Sequence, residues 1–394
     1  MLLFEKGESM KKKELLTYFL TVVFSVGYLF LAHKAATINE NDYTLDYNLG
    51  QSQKVKVTEI IDPEYEKVIY GDFETNDKIL LFEAKFMNGY RKGEKLIALQ
   101  SIDSMYAVES KSVEPGDKVI VYKNQIPNAQ DVEFMFAEFY RIDFILVLAV
   151  AFGVLLLVLG RLNGIKTLVS LTFTILSIFY VFIPSVLNGG NIYSWAISTC
   201  VYIILMTLLI ISGFSKKSFA AMIGCTSGVL MAGIITLVTT KICHLTGLTT
   251  EDSMFLLLLD PDNPIDLNGV IFASIILGAV GAIMDVSMSL SSALAEMKEQ
   301  AKDMSAKQIT KSGMVVGRDI MGTMANTLIL AYIGSSLSVT LLLVAYNHST
   351  MLLFNTEMIL VELLQALAGS LGILLTIPLT SLVCGFLYAN ETEE

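Results

Sequence analysis

The chain has 394 residues, of which 54% are hydrophobic and only 16% charged, with a formal net charge of −11. Soluble domains are about one-quarter charged, and no soluble core needs this much apolar sequence. A wholly soluble protein and a disordered chain are excluded, and the acidic balance leaves no electrostatic hold on nucleic-acid phosphates.

About 20 apolar residues carry a helix across the hydrocarbon layer. Eight segments approach that length: 15–32, 144–159, 167–187, 192–212, 219–240, 269–290, 320–343 and 359–386. The last is longer than needed and is expected to tilt or break near Pro378. Lys11, Lys12 and Lys13 precede the first segment as they would in a signal peptide. No small-x-small cleavage site follows near His33, however, and the apolar run is long for a signal, so a retained helix is expected.

Residues 34–142 differ in composition from everything after them. They are rich in charge, and strand-like runs at 54–61, 79–86, 95–101, 118–122 and 132–140 alternate with turn signals. Those signals are Asp62-Pro63, Asn88-Gly89, Arg91-Lys92-Gly93 and Glu114-Pro115-Gly116-Asp117. Five short strands in this length predict a small all-β domain, an OB-like barrel, with a plain sandwich as the competing fold. The domain has no Cys, and no His past His33. It lacks the commonest nucleophile and general base, and its acidic balance does not suit an oligonucleotide. A structural or protein-contact module is the expectation.

From 143 to 390 the chain is expected to be a seven-helix transmembrane domain, the first helix belonging to residues 1–33. Arg161 and Lys166, then Lys216 and Lys217, then Lys298, Lys302, Lys307, Lys311 and Arg318 fall on one side of successive connections. The short connections on the other side carry only Lys241. The excess of Lys and Arg marks the cytoplasmic side. Both termini are therefore expected inside a plasma membrane, with residues 34–142 extracytoplasmic. Cys200, Cys225, Cys243 and Cys384 lie in or beside apolar runs without CxxC spacing and read as small buried hydrophobes. Residues 159–168 echo residues 212–219, which suggests two tandem helical hairpins.

Ionisable groups inside a membrane are costly and therefore informative. In the sixth segment Gly278, Ala282, Asp285, Ser289 and Ser292 share one helical face, expected to point into the bundle. Asp285 lies about 13 Å from the inner end, and in the seventh segment Asn326 lies about 11 Å deep. Asp319, Thr323 and Asn326 share a face, so Asp285 and Asn326 are expected at matched depth, within reach of a hydrogen bond or a shared site. Arg318 and Asp319 read as an ion pair capping that helix. In the eighth segment Glu362, Gln365, Gly369, Gly372 and Thr376 form one stripe, with Glu362 in the outer third. Gly278, Gly281, Gly322, Gly369 and Gly372 read as sites of close helix approach. The connection 259–266 is rich in oxygen ligands but lacks the glycine and closing glutamate of an EF-hand, so a solvated loop is expected. The run 254–259 is too short to span and reads as an interfacial or re-entrant piece. No cofactor is implied, and no metal ligand set is assigned.

At these residues the chain resembles the YibE/F-like integral membrane proteins of bacteria. The resemblance lies in IISGFSKKSFAAMIGC at 210–225, GVIFASIILGAVGAIMDVSMSLSSALAEMKE at 269–299, SGMVVGRDIMGTMANTLILAYIGSSL at 312–337 and LAGSLGILLTIPLT at 367–380. Ala325 departs from the pattern, where a hydroxyl residue is common. The resemblance implies a multi-pass plasma-membrane protein with an extracytoplasmic β-domain; it implies no substrate and carries over no catalytic or binding residue. None of the crossings after the first contains an interior Lys or Arg. The leading expectation is therefore a transporter of a small solute or ion, proton- or cation-linked, passing Asp285, Thr323 and Asn326, with Ser289 and Glu362 as further candidates. The alternative is a sensor or assembly factor whose outer barrel binds a protein or ligand. The expected partners are the lipid bilayer and an unidentified solute, with no nucleic acid; a homo-oligomer is left open. No HExxH, paired-aspartate, Ser/His or Ser/Lys arrangement appears, so no enzyme is expected.

Overall fold

A computed structural model describes residues 2–38, 52–61, 64–70, 73–102, 111–123, 132–260, 263–346 and 349–389. It divides into two compact units, 1–41 with 156–394, and 42–155.

The second unit holds strands β1 (Gln53–Ile60), β2 (Glu64–Tyr70), β3 (Phe73–Phe86), β4 (Lys95–Ile102), β5 (Lys118–Lys123) and β6 (Phe134–Phe139). β1 pairs with both β3 and β5, which closes a ring in the order β1-β3-β4-β6-β5. Every pairing in it is antiparallel except β4 with β6. This is the five-stranded barrel of OB type expected from the alternation, and the closed ring removes the sandwich. Val55, Val57, Phe82, Ala84, Ala98, Val119 and Val121 fill its interior, each no more than 1% exposed. The period-2 pattern places them on one face, and burying each is worth about 1.5–3 kcal/mol for the larger side chains.

β2 was not expected. It pairs only with the first half of β3, as a hairpin appended to the barrel. Three of the seven residues of its sequence EYEKVIY are charged, and no apolar alternation marks it as a strand. The Asp62-Pro63 turn lies outside the described residues. The turn at Asn88–Gly93 is present, closed by Gly93 at φ +89 and by Gly93 N–H to the Phe86 carbonyl at 2.9 Å. Buried Gln100 spans β4 and the next loop. It accepts from Val113 N–H and donates to the Lys111 carbonyl, each at 2.9 Å, so its amide is satisfied in the dry interior.

The helical unit begins with α1 (Leu2–Ala36). After the barrel come α2 (Ile142–Leu176), whose residues up to 155 belong to the second unit, a π-turn at Ser177–Phe182, α3 (Ile183–Leu187), α4 (Ile192–Ser212) and α5 (Lys216–Ile242). They are followed by α6 (Glu251–Leu258), α7 (Leu267–Gln300), α8 (Ala306–Ser335), α9 (Leu337–Tyr346), α10 (Thr350–Asn355) and α11 (Glu357–Ala389). Most starts are capped by side chains. Asn191, Ser215, Thr250 and Asp266 each accept from backbone N–H groups of the first turn, and Ser305 with Gln308 forms a capping box. Such caps satisfy donors that the helix itself cannot. Among the described residues, six helical stretches are long and apolar enough to cross a membrane, seven if α8 and α9, bent by 65°, count as one.

One of those stretches, Ile142–Leu187, is 46 residues long. Straight, it would reach about 69 Å, more than twice the hydrocarbon layer. It is not straight: Arg161 takes φ 48 inside it, and Gly164 comes against the Leu156 carbonyl so closely that no Cβ fits. Residues eight apart on one straight helix are about 12 Å apart, so the chain turns back here. The loop expected at 160–166 is a sharp reversal instead. The connection at 213–215 is a capped loop with Gly213 at φ +69. The echo between these two stretches is therefore not a repeat of backbone structure.

α5, α7 and α11 pack as the centre of the bundle, with α8 against α11. Helices approach closely through glycines: a Cβ at Gly228 would strike Thr376, and one at Gly317 would strike Ile377. α11 continues through Pro378 as one helix, so the break expected there is absent. The run at 254–259 forms part of the short α6, with Met254, Phe255 and Leu258 exposed. Cys200, Cys225 and Cys384 are buried thiols, but Cys243 is exposed, because it caps α5 rather than lying within it.

α1 lies along α4 and the π-turn. Tyr28 stacks on Tyr202 at 4.1 Å and shares a hydrogen bond of 3.2 Å with Ser198. His33 stacks on Tyr180 at 3.7 Å. Its other faces are open: Phe19, Phe24 and Phe30 are more than 60% exposed.

Candidate functional site

α7 is apolar on one side and small or polar on the other, and the aliphatic side wins the core. Ile276, Ile283, Leu290 and Leu294 are fully or nearly fully buried, packed towards α5, α8 and α11. The stripe Gly278, Gly281, Asp285 and Ser289 is exposed, with Ala282 and Ser292 half-buried. The expected inward orientation is thus corrected. Burying branched aliphatics yields more free energy than burying glycine and serine, and a carboxylate without a partner resists burial.

Two helices flank this stripe. On one side Ser212 of α4 contacts the Met288 sulfur at 3.6 Å. On the other, α8 runs antiparallel, with Tyr332 against Gly278 and Gly313 against Leu294. Interpolating between these two contacts puts Asp285 level with Met324, between Thr323 and Asn326. The matched level is therefore present, but the hydrogen bond is not. Among the described residues no hydrogen bond joins Asp285 to Asn326, both are exposed, and the Thr323 hydroxyl returns to the Ile320 carbonyl at 2.9 Å.

The remaining candidates separate. Arg318 and Asp319 are exposed in mid-helix and make no ion pair among the described residues. The capping role fails because α8 starts at Ala306, under its own Ser305–Gln308 box. Gly369 packs on Leu328 and Ala279, and Gly372 on Ala232 and Ile283, as close-approach glycines should. Gly281 and Gly322 face open space. Glu362 is half-buried and within electrostatic range of the Tyr332 hydroxyl.

Tyr332 itself was not singled out in the sequence. Its ring reaches Gly278 and Gly369, and its hydroxyl is buried without a hydrogen-bond partner among the described residues. Its one signal is an aromatic hydroxyl two turns beyond Asn326. Glu357 was missed too. Its carboxylate accepts from Thr246 N–H at 2.5 Å, Gly247 N–H at 2.6 Å and the Thr246 hydroxyl at 2.9 Å. It pins the loop after α5 to the start of α11. In the 259–266 connection, Asp266 caps α7 and accepts from the Tyr193 hydroxyl at 2.9 Å. Residues 261–262 lie outside the described residues. Among those described, no group of three or more His, Cys, Asp or Glu is placed to hold a metal ion.

Two clefts, of about 520 and 270 Å³, lie on the barrel and share Arg91, Glu133 and Phe134. Neither is lined by Asp285 or its neighbours; that carboxylate sits on an open helical face rather than in an enclosed cavity.

A family model described as YibE/F-like protein matches residues 148–390. The match takes in most of α2 and every helix from there to α11, with Asp285, Asn326 and Glu362, and leaves out α1 and the barrel. No curated protein and no solved structure is similar to the chain.

Proposed function

This chain belongs to the YibE/F-like family, and from that premise we propose that it is a multi-pass membrane transporter for a proton or small cation. Its pathway runs along α7 and α8 past Asp285, with Thr323, Asn326 and Ser289 beside it and Glu362 near one end. The observation that carries the reading is the position of Asp285: halfway along an apolar helix, on the face α5 and α11 leave uncovered, level with Asn326. In a bilayer a carboxylate there is costly unless a proton, a cation or a polar neighbour meets it. The apolar runs of the crossings after the first hold no Lys or Arg to do so; Arg318 of α8 stands before the apolar run that begins at residue 320.

The reading counts eight crossings, with the reversal at Arg161 dividing Ile142–Leu187 in two and α8–α9 taken as one. It places both termini in the cytoplasm and the barrel outside a plasma membrane. A second copy of the chain covering the α7 face would fit the same chemistry. The test is flux from proteoliposomes across a panel of protons and mono- and divalent cations. Flux that Asp285→Asn abolishes supports the proposal. Wild-type vesicles inert to the whole panel would sink it and favour a sensor or assembly role for the barrel.

A further inference from the structure

Proline has no backbone N–H, and an α-helix that meets one leaves the carbonyl four residues earlier without its donor. Pro184 stands four residues after Tyr180. The helix does not run regularly through this point: it forms the π-turn, where Ile183 N–H reaches the Ile178 carbonyl, so the gap left by Pro184 falls on the carbonyls of Phe179 and Tyr180. The Tyr180 carbonyl is met from another helix. His33 Nδ1 of α1 lies 2.7 Å from it, and the two rings stack at 3.7 Å with planes 11° apart. A carbonyl oxygen only accepts, so Nδ1 carries the proton. At the end of the same segment Asn188 Nδ2 donates to the Ala36 carbonyl at 2.9 Å. The last turn of α1 therefore holds the proline-disturbed segment at two points.

That turn is where the chain leaves the helical unit for the barrel unit, which begins at residue 42. π-turns are rare, strained and frequent at functional positions. We propose that His33 and Asn188 form a latch, in which His33 supplies the donor that Pro184 withholds from Tyr180. Through it, displacement of the C-terminal end of α1 is transmitted to residues 177–188. The latch does not depend on the transport reading; a sensor would need such a coupling as much as a transporter.

The test is hydrogen exchange on the full chain in nanodiscs. His33→Ala should speed exchange across 177–188 by about fivefold, the factor set by one hydrogen bond of ordinary strength, and leave α7 unchanged. His33→Asn, which can return an amide donor near the Nδ1 position, should recover part of the protection. The decisive arm is Pro184→Ala, which restores a backbone donor to Tyr180. In that background His33→Ala should have less than half its effect. For transmission, biotin on a cysteine at Ile38, loaded with streptavidin, should change exchange at 177–188 with His33 present and not with His33→Ala. Unchanged exchange in His33→Ala overturns the latch. Equal effects with and without Pro184 overturn the proline-gap account. A load at residue 38 that acts identically in both backgrounds overturns the transmission. If Pro184→Ala fails to fold, the contrast between His33→Ala and His33→Asn still decides whether the donor matters.

Discussion

The barrel and the bundle solve the same problem, burying one face of each element, with opposite legibility. In a strand the side-chain period is two, so Val55 and Val57, or Phe82 and Ala84, can only be inside together. In α7 the period is 3.6 and both faces are plausible interiors: one aliphatic, the other small and suited to close helix packing. Burial energetics chose the aliphatic face. A helix pattern names a face, and only its neighbours say which way that face turns.

Substitutions put this contrast to the test. The largest effect is expected at Gly228, where any side chain enters Thr376 and Ile283. Gly228→Leu should prevent stable accumulation of the chain, while Gly281→Leu, facing open space, should insert and fold like wild type. If Gly281→Leu fails as badly, another chain or segment covers that face of α7. Next comes the barrel interior. Phe82→Ala should destabilise the second unit by about 3–5 kcal/mol, read as an early transition in thermal unfolding of the full chain. A single unshifted transition would mean that the barrel does not melt as a unit.

Asp285→Asn should leave expression and unfolding near wild type, since it nearly conserves shape and removes a charge, yet abolish transport. Asn326→Ala should reduce transport less, because no titratable group is lost, and Ser289→Ala less again. Wild-type activity in Asp285→Asn would leave the carboxylate without a role. Orientation has its own check. A cysteine at Asn88, in the barrel turn, should react with an impermeant reagent in intact cells; labelling only after lysis reverses the topology.

The smallest effect belongs to the barrel surface. Glu83 meets Lys95 at 2.9 Å across β3 and β4. Its carboxyl is held below the ordinary value of 4.5, first by the hydrogen bond from Lys95, then by Thr58. The Lys95 ammonium is correspondingly raised by Glu83. A lowered carboxyl contributes stability that is complete above its ordinary value and is lost as pH falls through the lowered one. Lys95 is exposed and Glu83 only partly covered, so Glu83→Gln should barely move the barrel melting temperature at neutral pH. A clear loss there would mean the pair is shielded from water by something bound over it.

The apolar runs and the alternation of five strands follow from the amino-acid sequence alone, because period and turn chemistry act over a few residues. YibE/F-like membership was legible in the same way, in long unbroken stretches of α5, α7, α8 and α11. β2 was not, since three of its seven residues are charged and no apolar alternation marks it, and neither was the early start of α8, whose first turns are polar. Only the tertiary structure decided that Asp285 faces away from α5 and α11, that Arg318 and Asp319 sit in mid-helix, and that Tyr332 lies over Gly278. It also decided that His33 reaches the carbonyl beside Pro184, 147 residues further along the chain. Each of these depends on which helix stands beside which, and that choice is made by burial summed over whole faces, a quantity no local window contains.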